Sequence, residues 1–196
     1  MPQSFDTILA IAAVMQNYPC PWFVSGGWAI DLFLERVTRD HSDIEIGIYR
    51  RDQIAVQQFL RGWTLEKVVQ TAAGGKWLPW EENEVLELPI HQGRAKRSRP
   101  EPAEFELFLN ERNETHWISR RHPEITRPAD EIVLVSFLGI PILAPEIQLL
   151  FKAKQTRAKD QNDFQNTLAR LSPIQRHWLA DALSRFYPSH AWRLGL

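Results

Sequence analysis

The chain has 196 residues, of which 44% are hydrophobic and 24% charged, so it suits one domain, or one domain with a small appended lobe. Its 23 basic and 24 acidic residues give a net charge of −1, which argues against a dedicated nucleic-acid or membrane-surface binder. The single cysteine, Cys20, excludes an internal disulfide and every multi-cysteine metal site, and it fits a reducing compartment.

The N-terminal segment 1–13 has no basic region ahead of its apolar residues, so we do not expect a signal peptide. The longest apolar stretch, 132–144, is interrupted and falls short of the roughly 18 residues that a membrane-spanning helix requires. We therefore predict a cytoplasmic protein with no membrane partner.

The first part of the chain predicts alternating helices and strands. Apolar residues at helical spacing predict a helix over 4–17, and a short strand over 22–24 leads through Ser-Gly-Gly into a second helix that ends near Arg36. Acidic or small residues alternate with isoleucine over 43–49, which indicates a strand with two distinct faces.

The middle of the chain predicts a helix over 52–61 and a strand over 63–69, whereas 74–89 resists assignment. The segment 91–102 holds two prolines and a basic cluster, and it is typical of a mobile loop. Alternation resumes over 104–109, which predicts another strand.

The last part predicts a hairpin of 131–137 with 140–143, in which Pro141 indicates an edge strand. Three helices follow: one opened by Pro145, one containing Phe164, and one over 175–186. The predicted class is α+β, with a mixed sheet and flanking helices. We expect a sheet-based catalytic domain over 1–143 and a C-terminal helical lobe over 144–196.

Gly26 and Gly27 stand between a strand and a helix. Such a pair is most often only a tight turn, but it also lets a phosphate approach the N–H groups at a helix N-terminus, with the Ser25 hydroxyl as a further donor. No Lys-Ser or Lys-Thr follows, so the motif is not a Walker-type loop.

Asp43 and Glu45 are expected on one face of their predicted strand, and Glu104 and Glu106 repeat this spacing on another. Such a pair alone more often belongs to an exposed acidic strand edge. If the two strands are neighbours, the carboxylates converge, and a cation such as Mg²⁺ relieves their repulsion.

Two segments carry a family resemblance: FVSGGWAIDL at 23–32 and RDHSDIEI at 39–46. Together they resemble the nucleotidyltransferase superfamily with the DNA polymerase β-like fold, and above all the small branch that adenylylates aminoglycosides and lincosamides. Further segments at 106–111, 117–121 and 144–154 resemble the same branch.

The resemblance implies a role for each matching position. Asp43, Glu45 and Glu106 would bind Mg²⁺, with two ions expected, and Glu106 would also remove the proton from the acceptor hydroxyl. Ser25, Gly26 and Lys152 would face the phosphates of ATP or another nucleoside triphosphate. The residues that we predict for nucleotide binding are Ser25, Gly26, Gly27, Arg39 and Lys152.

Several residues keep two interpretations. Arg39 and His41 contact phosphate or substrate, or are solvated, and Asp31 braces the glycine turn or faces solvent. Lys152 and Lys159 share a helical stripe that also fits an exposed surface. The glutamates at 81, 82, 84 and 87 form an acidic surface for a polyamine-like acceptor, or a solvated loop.

The predicted function is Mg²⁺-dependent transfer of a nucleoside monophosphate, AMP from ATP, to a hydroxyl of a small molecule, such as an aminoglycoside or lincosamide antibiotic. One alternative is a nucleotidyltransferase that acts on a protein or an RNA end, although the near-zero net charge argues against long RNA. Another is a non-catalytic nucleotide-binding module.

Overall fold

The structure is a computed structural model that describes residues 3–72, 74–99 and 103–196. Its helices within those ranges are α1 (Asp6–Met15), α2 (Gly26–Leu34), α3 (Gln53–Phe59), α4 (Pro145–Ala153), α5 (Ala158–Leu168) and α6 (Pro173–Phe186). Its strands there are β1 (Trp22–Ser25), β2 (Glu45–Tyr49), β3 (Thr64–Thr71), β4 (Gly74–Pro79), β5 (Gln92–Arg97), β6 (Ala103–Arg112), β7 (His116–Ile118), β8 (Thr126–Pro128), β9 (Val133–Val135) and β10 (Pro141–Leu143).

The strands form one mixed sheet in the order β4-β3-β5-β6-β2-β1-β10-β9, and β7 and β8 extend it from the far end of β6. Strand β2 runs parallel to β6, and β1 runs parallel to β10. The remaining pairings are antiparallel. The predicted α+β class with a mixed sheet is confirmed.

The alternation of side chains in β2 and β6 gives the sheet its two faces. Ile46, Ile48 and Leu107 are fully buried in a core that also contains Ile8 of α1 and Val56 of α3. Polar residues interleave with these positions, so they project from the opposite face. The alternation therefore places Glu45 and Glu106 together on that opposite face.

The three C-terminal helices pack on the same face as the carboxylates, further along the sheet. Ile147 and Leu150 of α4 and Leu179 of α6 share a buried cluster with Phe23 of β1 and Ile30 of α2. The change to an all-helical chain after Leu143 follows the prediction. The division into two domains at that point stays a prediction. The C-terminal helices bury their apolar faces against the sheet layer.

The prediction of a mobile loop over 91–102 was wrong for most of its length. Residues 92–97 form β5, an inner strand between β3 and β6, whereas 100–102 lie outside the described residues. The basic side chains that suggested a loop have counter-charges on β3: Arg94 and Lys96 contact Glu66 at 2.6 and 2.9 Å. Alternate small residues, such as Ala95, are buried.

The hairpin of β9 and β10 is confirmed, but the prediction that Pro141 marks an edge strand was wrong. Strand β10 lies between β1 and β9, and β9 is the edge. Pro141 is the first residue of β10, a position where proline is tolerated in a sheet. Strands β4, β7 and β8 were not predicted. The last two have three residues each, too few for a periodic signal.

Candidate active site

The sheet brings the predicted carboxylates to one place. Glu45 is the first residue of β2, and its partner in the parallel register with β6 is Glu106. Asp43 is exposed and precedes the strand, so the prediction that it shares a strand with Glu45 was wrong. The ladder with β1 ends at Ser25 opposite Glu45, which leaves Asp43 in the connecting loop.

Electrostatics show that the three carboxylates are close enough to repel one another. Burial, and next the charge of Asp43, raise the pKa of Glu45 to about 7, while the nearby Lys152 opposes this shift. Burial, and next the charge of Asp43, also raise the pKa of Glu106. A hydrogen bond of 2.9 Å that Gln92 donates to the Glu106 carboxylate acts in the opposite direction and lowers this pKa. A cation placed among these groups would relieve the repulsion.

Glu104 lies apart from this cluster. Its side chain is 55% exposed, and Arg94 of β5 approaches it at 3.4 Å. Glu104 also precedes the segment of β6 that is paired with β2, whereas Glu106 stands directly opposite Glu45. The geometry therefore favours Glu106 over Glu104 as the third carboxylate of the cluster.

Gly26 joins the helix α2 to the carboxylates. Its φ of +69° lies in the left-handed region, and a Cβ added there would come within 2.6 Å of the carboxyl carbon of Glu45. Its N–H donates to Oε1 of Gln148 at 2.8 Å, and the Ser25 hydroxyl donates to the carbonyl of Glu45 at 3.3 Å. The turn thus seats Glu45 directly against the N-terminus of α2.

We expect Gly26→Ala to reduce nucleotide affinity by at least about tenfold, because the new methyl group displaces Glu45 and the residue is strained at positive φ. Equilibrium titration with ATP and Mg²⁺ measures the loss. Gly139→Ala is the matched control, since Gly139 has φ +75° with open space around it. An equal loss of affinity in both variants would attribute the effect to general backbone strain.

The two predicted phosphate-binding cations are engaged in ion pairs. Lys152 is buried, and its Nζ contacts Asp160 at 3.0 Å and Asp163 at 2.9 Å. Arg39 donates two hydrogen bonds of 3.0 Å to the same Asp163. Lys152 is therefore not part of an exposed stripe. Arg39 thus links the loop ahead of β2 to helix α5, and Lys152 links helix α4 to helix α5. Lys152 is also close enough to Glu45 for its charge to lower the pKa of that carboxyl.

Asp31, for which the sequence allowed two interpretations, is buried and braces the loop that carries Asp43. The carboxylate of Asp31, on α2, contacts Nε2 of His41 at 2.6 Å and accepts a hydrogen bond of 2.5 Å from the Thr38 hydroxyl. The centre of the His41 ring lies 4.5 Å from that of the Trp28 ring. A Cβ added at Gly27 would come within 2.4 Å of Nδ1 of His41, so only glycine leaves room for this ring. Gly27 therefore serves the packing of this loop.

Asp160, Asp163 and Gln148 are site residues that the sequence analysis missed. Gln148 is a polar residue at a buried position of α4. A polar residue among apolar helix positions could have marked it as a site residue, but this pattern does not identify its partner. The contacts of Gln148 and Asp163 link the C-terminal helices to residues more than 100 positions earlier in the chain. Such distant pairs cannot be read from local patterns.

Two adjoining cavities open beside Glu45. The inner one, of about 100 Å³, extends from Ser25 along β6 to Asn110 and Arg120. The outer one, of about 400 Å³, lies towards α4 and α5 and is lined by basic residues that include Lys154 and Arg157. Their shared walls are Glu45, Phe108, Arg121, Gln148 and Phe151. None of the four glutamates between 81 and 87 lines either cavity.

Comparison with known proteins agrees with this fold. The profile of the aminoglycoside-2''-adenylyltransferase family matches residues 7–95, a range that includes Glu45 and the glycine turn. No curated protein matches the chain. Within the described residues, no helix is long and apolar enough to cross a membrane.

Several solved structures share the fold. A lincomycin-bound lincosamide antibiotic adenylyltransferase, LnuA, has a TM-score of 0.56 at 17% identity, over 85% of this chain and 97% of that one. ANT(2'')-Ia in complex with adenylyl-2''-tobramycin has a TM-score of 0.54 at 13% identity, over 93% and 99%. An antigenic nucleotidyltransferase-like protein from Paracoccidioides brasiliensis has a TM-score of 0.50 at 14% identity, over 100% and 95%.

The fold, with carboxylates on neighbouring strands beside a glycine-opened helix, is shared with these nucleotidyltransferase structures, so the predicted fold is confirmed. The family match over residues 7–95 and the structural similarities agree with the resemblance to the aminoglycoside and lincosamide nucleotidyltransferases.

Proposed function

We propose that the chain catalyses Mg²⁺-dependent transfer of AMP from ATP to a hydroxyl group of a small molecule, with pyrophosphate as the leaving group. The observation that carries the proposal is the register of β2 and β6, which sets Glu106 opposite Glu45 beside Asp43 and the N-terminus of α2. The related structures contain lincomycin and adenylyl-2''-tobramycin, which makes a hydroxylated antibiotic one candidate acceptor.

The chemistry of the donor set fits Mg²⁺. Carboxylate oxygens are the ligands that this hard cation prefers, and the repulsion among Asp43, Glu45 and Glu106 favours a cation between them. Among the described residues, no three His, Cys, Asp or Glu side chains stand close enough to hold a metal without adjustment. We propose that these three carboxylates hold the metal once their side chains turn towards it.

Each residue of the cluster has a separate proposed task. When bound, Mg²⁺ supplies positive charge to the phosphates and to the attacking oxygen. Asp43 and Glu45 fix its position, and Glu106 accepts the proton of the acceptor hydroxyl. The N-terminus of α2 and the Ser25 hydroxyl bind phosphate oxygens, because helix N–H groups favour anions.

Binding of a phosphate to the Gly26 N–H requires Gln148 to release it, since the amide oxygen of Gln148 occupies that donor in this structure. Lys152 acts mainly by position: its ion pairs with Asp160 and Asp163 fix the wall of the outer cavity, and its charge acts on Glu45. Arg39 anchors the loop that carries Asp43.

Calorimetric titration of the chain with ATP, with MgCl₂ and then with EDTA, tests the proposal. We expect nucleotide affinity to fall by at least about tenfold on removal of Mg²⁺, because uncompensated carboxylates repel the triphosphate. Pyrophosphate release is then measured with lincomycin and with tobramycin as acceptors. ATP binding that is indifferent to Mg²⁺, or absent, would contradict the proposed function.

A further inference from the structure

Two cations that are adjacent in the sequence line the inner cavity. Arg120 and Arg121 stand in its wall together with Glu45, His91 and Asn110. Both arginines follow β7 and are partly buried, so their charges are only partly screened by water. A small pocket between a catalytic carboxylate and a pair of arginines is suited to a ligand with a hydroxyl at one end and a negative charge at the other.

Arg120 lacks a counter-charge of its own. Within the described ranges it makes no hydrogen bond and no ion pair, and the nearest acid acting on it, Glu111, is paired with Arg50 at 2.7 Å. Burial, and next the charge of Arg121, lower the pKa of Arg120 to about 10. A partly buried guanidinium of this kind is stabilised by an anion.

Arg121 is held in place but is not neutralised. Its Nη1 donates to the carbonyl of Phe151 at 2.6 Å, and its guanidinium lies 5.2 Å from the centre of the Phe151 ring. Burial lowers its pKa, an effect that the neighbouring Tyr187 opposes. Arg121 stands in the wall shared by both cavities, so it is a fixed positive charge beside Glu45.

The charge of the cleft disfavours a polycation as its ligand. The described residues that line the two cavities include the cations Arg120, Arg121, Lys152, Lys154 and Arg157, and the acids Glu45 and Asp160. Because Asp160 is paired with Lys152 and Arg157, the remaining charged lining residues are Arg120, Arg121 and Lys154 against Glu45. The acidic run 81–87, which was one predicted surface for a polyamine, lies elsewhere, with Glu84 bound to Lys67.

We propose that Arg120 and Arg121 bind a carboxylate or phosphate group of the acceptor, so that the acceptor is a small anionic hydroxy compound and not a polycationic aminoglycoside. This inference rests on the proposed function. Arg120 lines only the inner cavity, of about 100 Å³, whereas Lys154 and Arg157 line the outer one towards α5. Ser25, which we propose binds a phosphate oxygen of the triphosphate, lines the inner cavity beside Glu45. We therefore place the anionic group of the acceptor at Arg120 and the triphosphate between Ser25 and the outer cavity.

Calorimetric titration of the full chain, without metal or nucleotide, tests the anion site with inorganic phosphate and with glucose 6-phosphate, and with glucose and tobramycin for comparison. We expect both phosphates to bind and glucose and tobramycin to bind more weakly. Arg120→Gln should weaken phosphate binding by about tenfold or more, and Arg120→Lys should retain part of it. Arg36→Gln, an exposed charge away from the cavity, should change nothing.

The source of the anion is distinguished by repeating the titration with ATP and Mg²⁺ present. Phosphate that still binds supports an acceptor site, whereas its displacement by ATP would assign the arginines to the nucleotide and overturn the proposal. Unchanged phosphate affinity in Arg120→Gln, or tighter binding of tobramycin than of glucose 6-phosphate, would also overturn it. Loss of Mg²⁺-dependent ATP binding alone would instead refute the proposed function, because the anion titration needs neither component.

Discussion

Asp43→Asn and Glu45→Gln are expected to abolish nucleotidyl transfer while leaving the fold intact or slightly more stable. Each change removes a proposed Mg²⁺ ligand. Asp43 raises the pKa of Glu45 and of Glu106, so either change removes one member of a repelling pair and the folded state loses that repulsion. A variant that loses function and keeps stability would distinguish a ligand from a structural residue.

The measurements are pyrophosphate release with ATP and an identified acceptor, and the free energy of unfolding in urea. Asp40→Asn is the matched control for Asp43→Asn, because Asp40 is exposed in the same loop and carries the same charge. Its contact with the Gln3 N–H uses an oxygen that asparagine keeps. Wild-type turnover in Asp43→Asn or in Glu45→Gln would show that the metal assignment is wrong.

The sequence predicted the site best where the signal was local. Alternation over 43–49 and over 104–109 predicted which residues share a face, and both strands are present, although β2 begins at Glu45 and leaves Asp43 outside it. Their being neighbours was only a condition of the prediction, because strand order depends on pairings between distant parts of the chain. The parallel register of Glu45 with Glu106 supplies what the sequence alone left open.

The incorrect predictions have physical causes. The basic residues of 92–97 suggested solvent exposure, yet Arg94 and Lys96 are neutralised by Glu66 from a strand almost 30 positions earlier. The prediction that Lys152 and Arg39 bind phosphates stays a prediction, and in this structure both contact Asp163 on α5. Ion pairs between segments distant in sequence leave no periodic trace, so charge patterns alone do not reveal them.

Glu106→Gln is expected to reduce turnover by a factor on the order of 10² to 10⁴, the usual loss for a general base, with little change in ATP affinity. Glu106 stands opposite Glu45 on a central strand, and burial raises its pKa, which makes its carboxylate a better proton acceptor. Single-turnover rates with saturating ATP and Mg²⁺ separate this loss in chemistry from a loss in binding.

Glu104→Gln is the matched control, since Glu104 lies on the same strand face two residues away. Its side chain is mostly exposed and near Arg94, outside the part of β6 that pairs with β2, so we expect a loss of less than about threefold, within the range of surface substitutions. A larger loss in Glu104→Gln than in Glu106→Gln would reverse the assignment of the base. Equal and large losses would mean that the charge of this strand face, and not one positioned carboxylate, supports turnover.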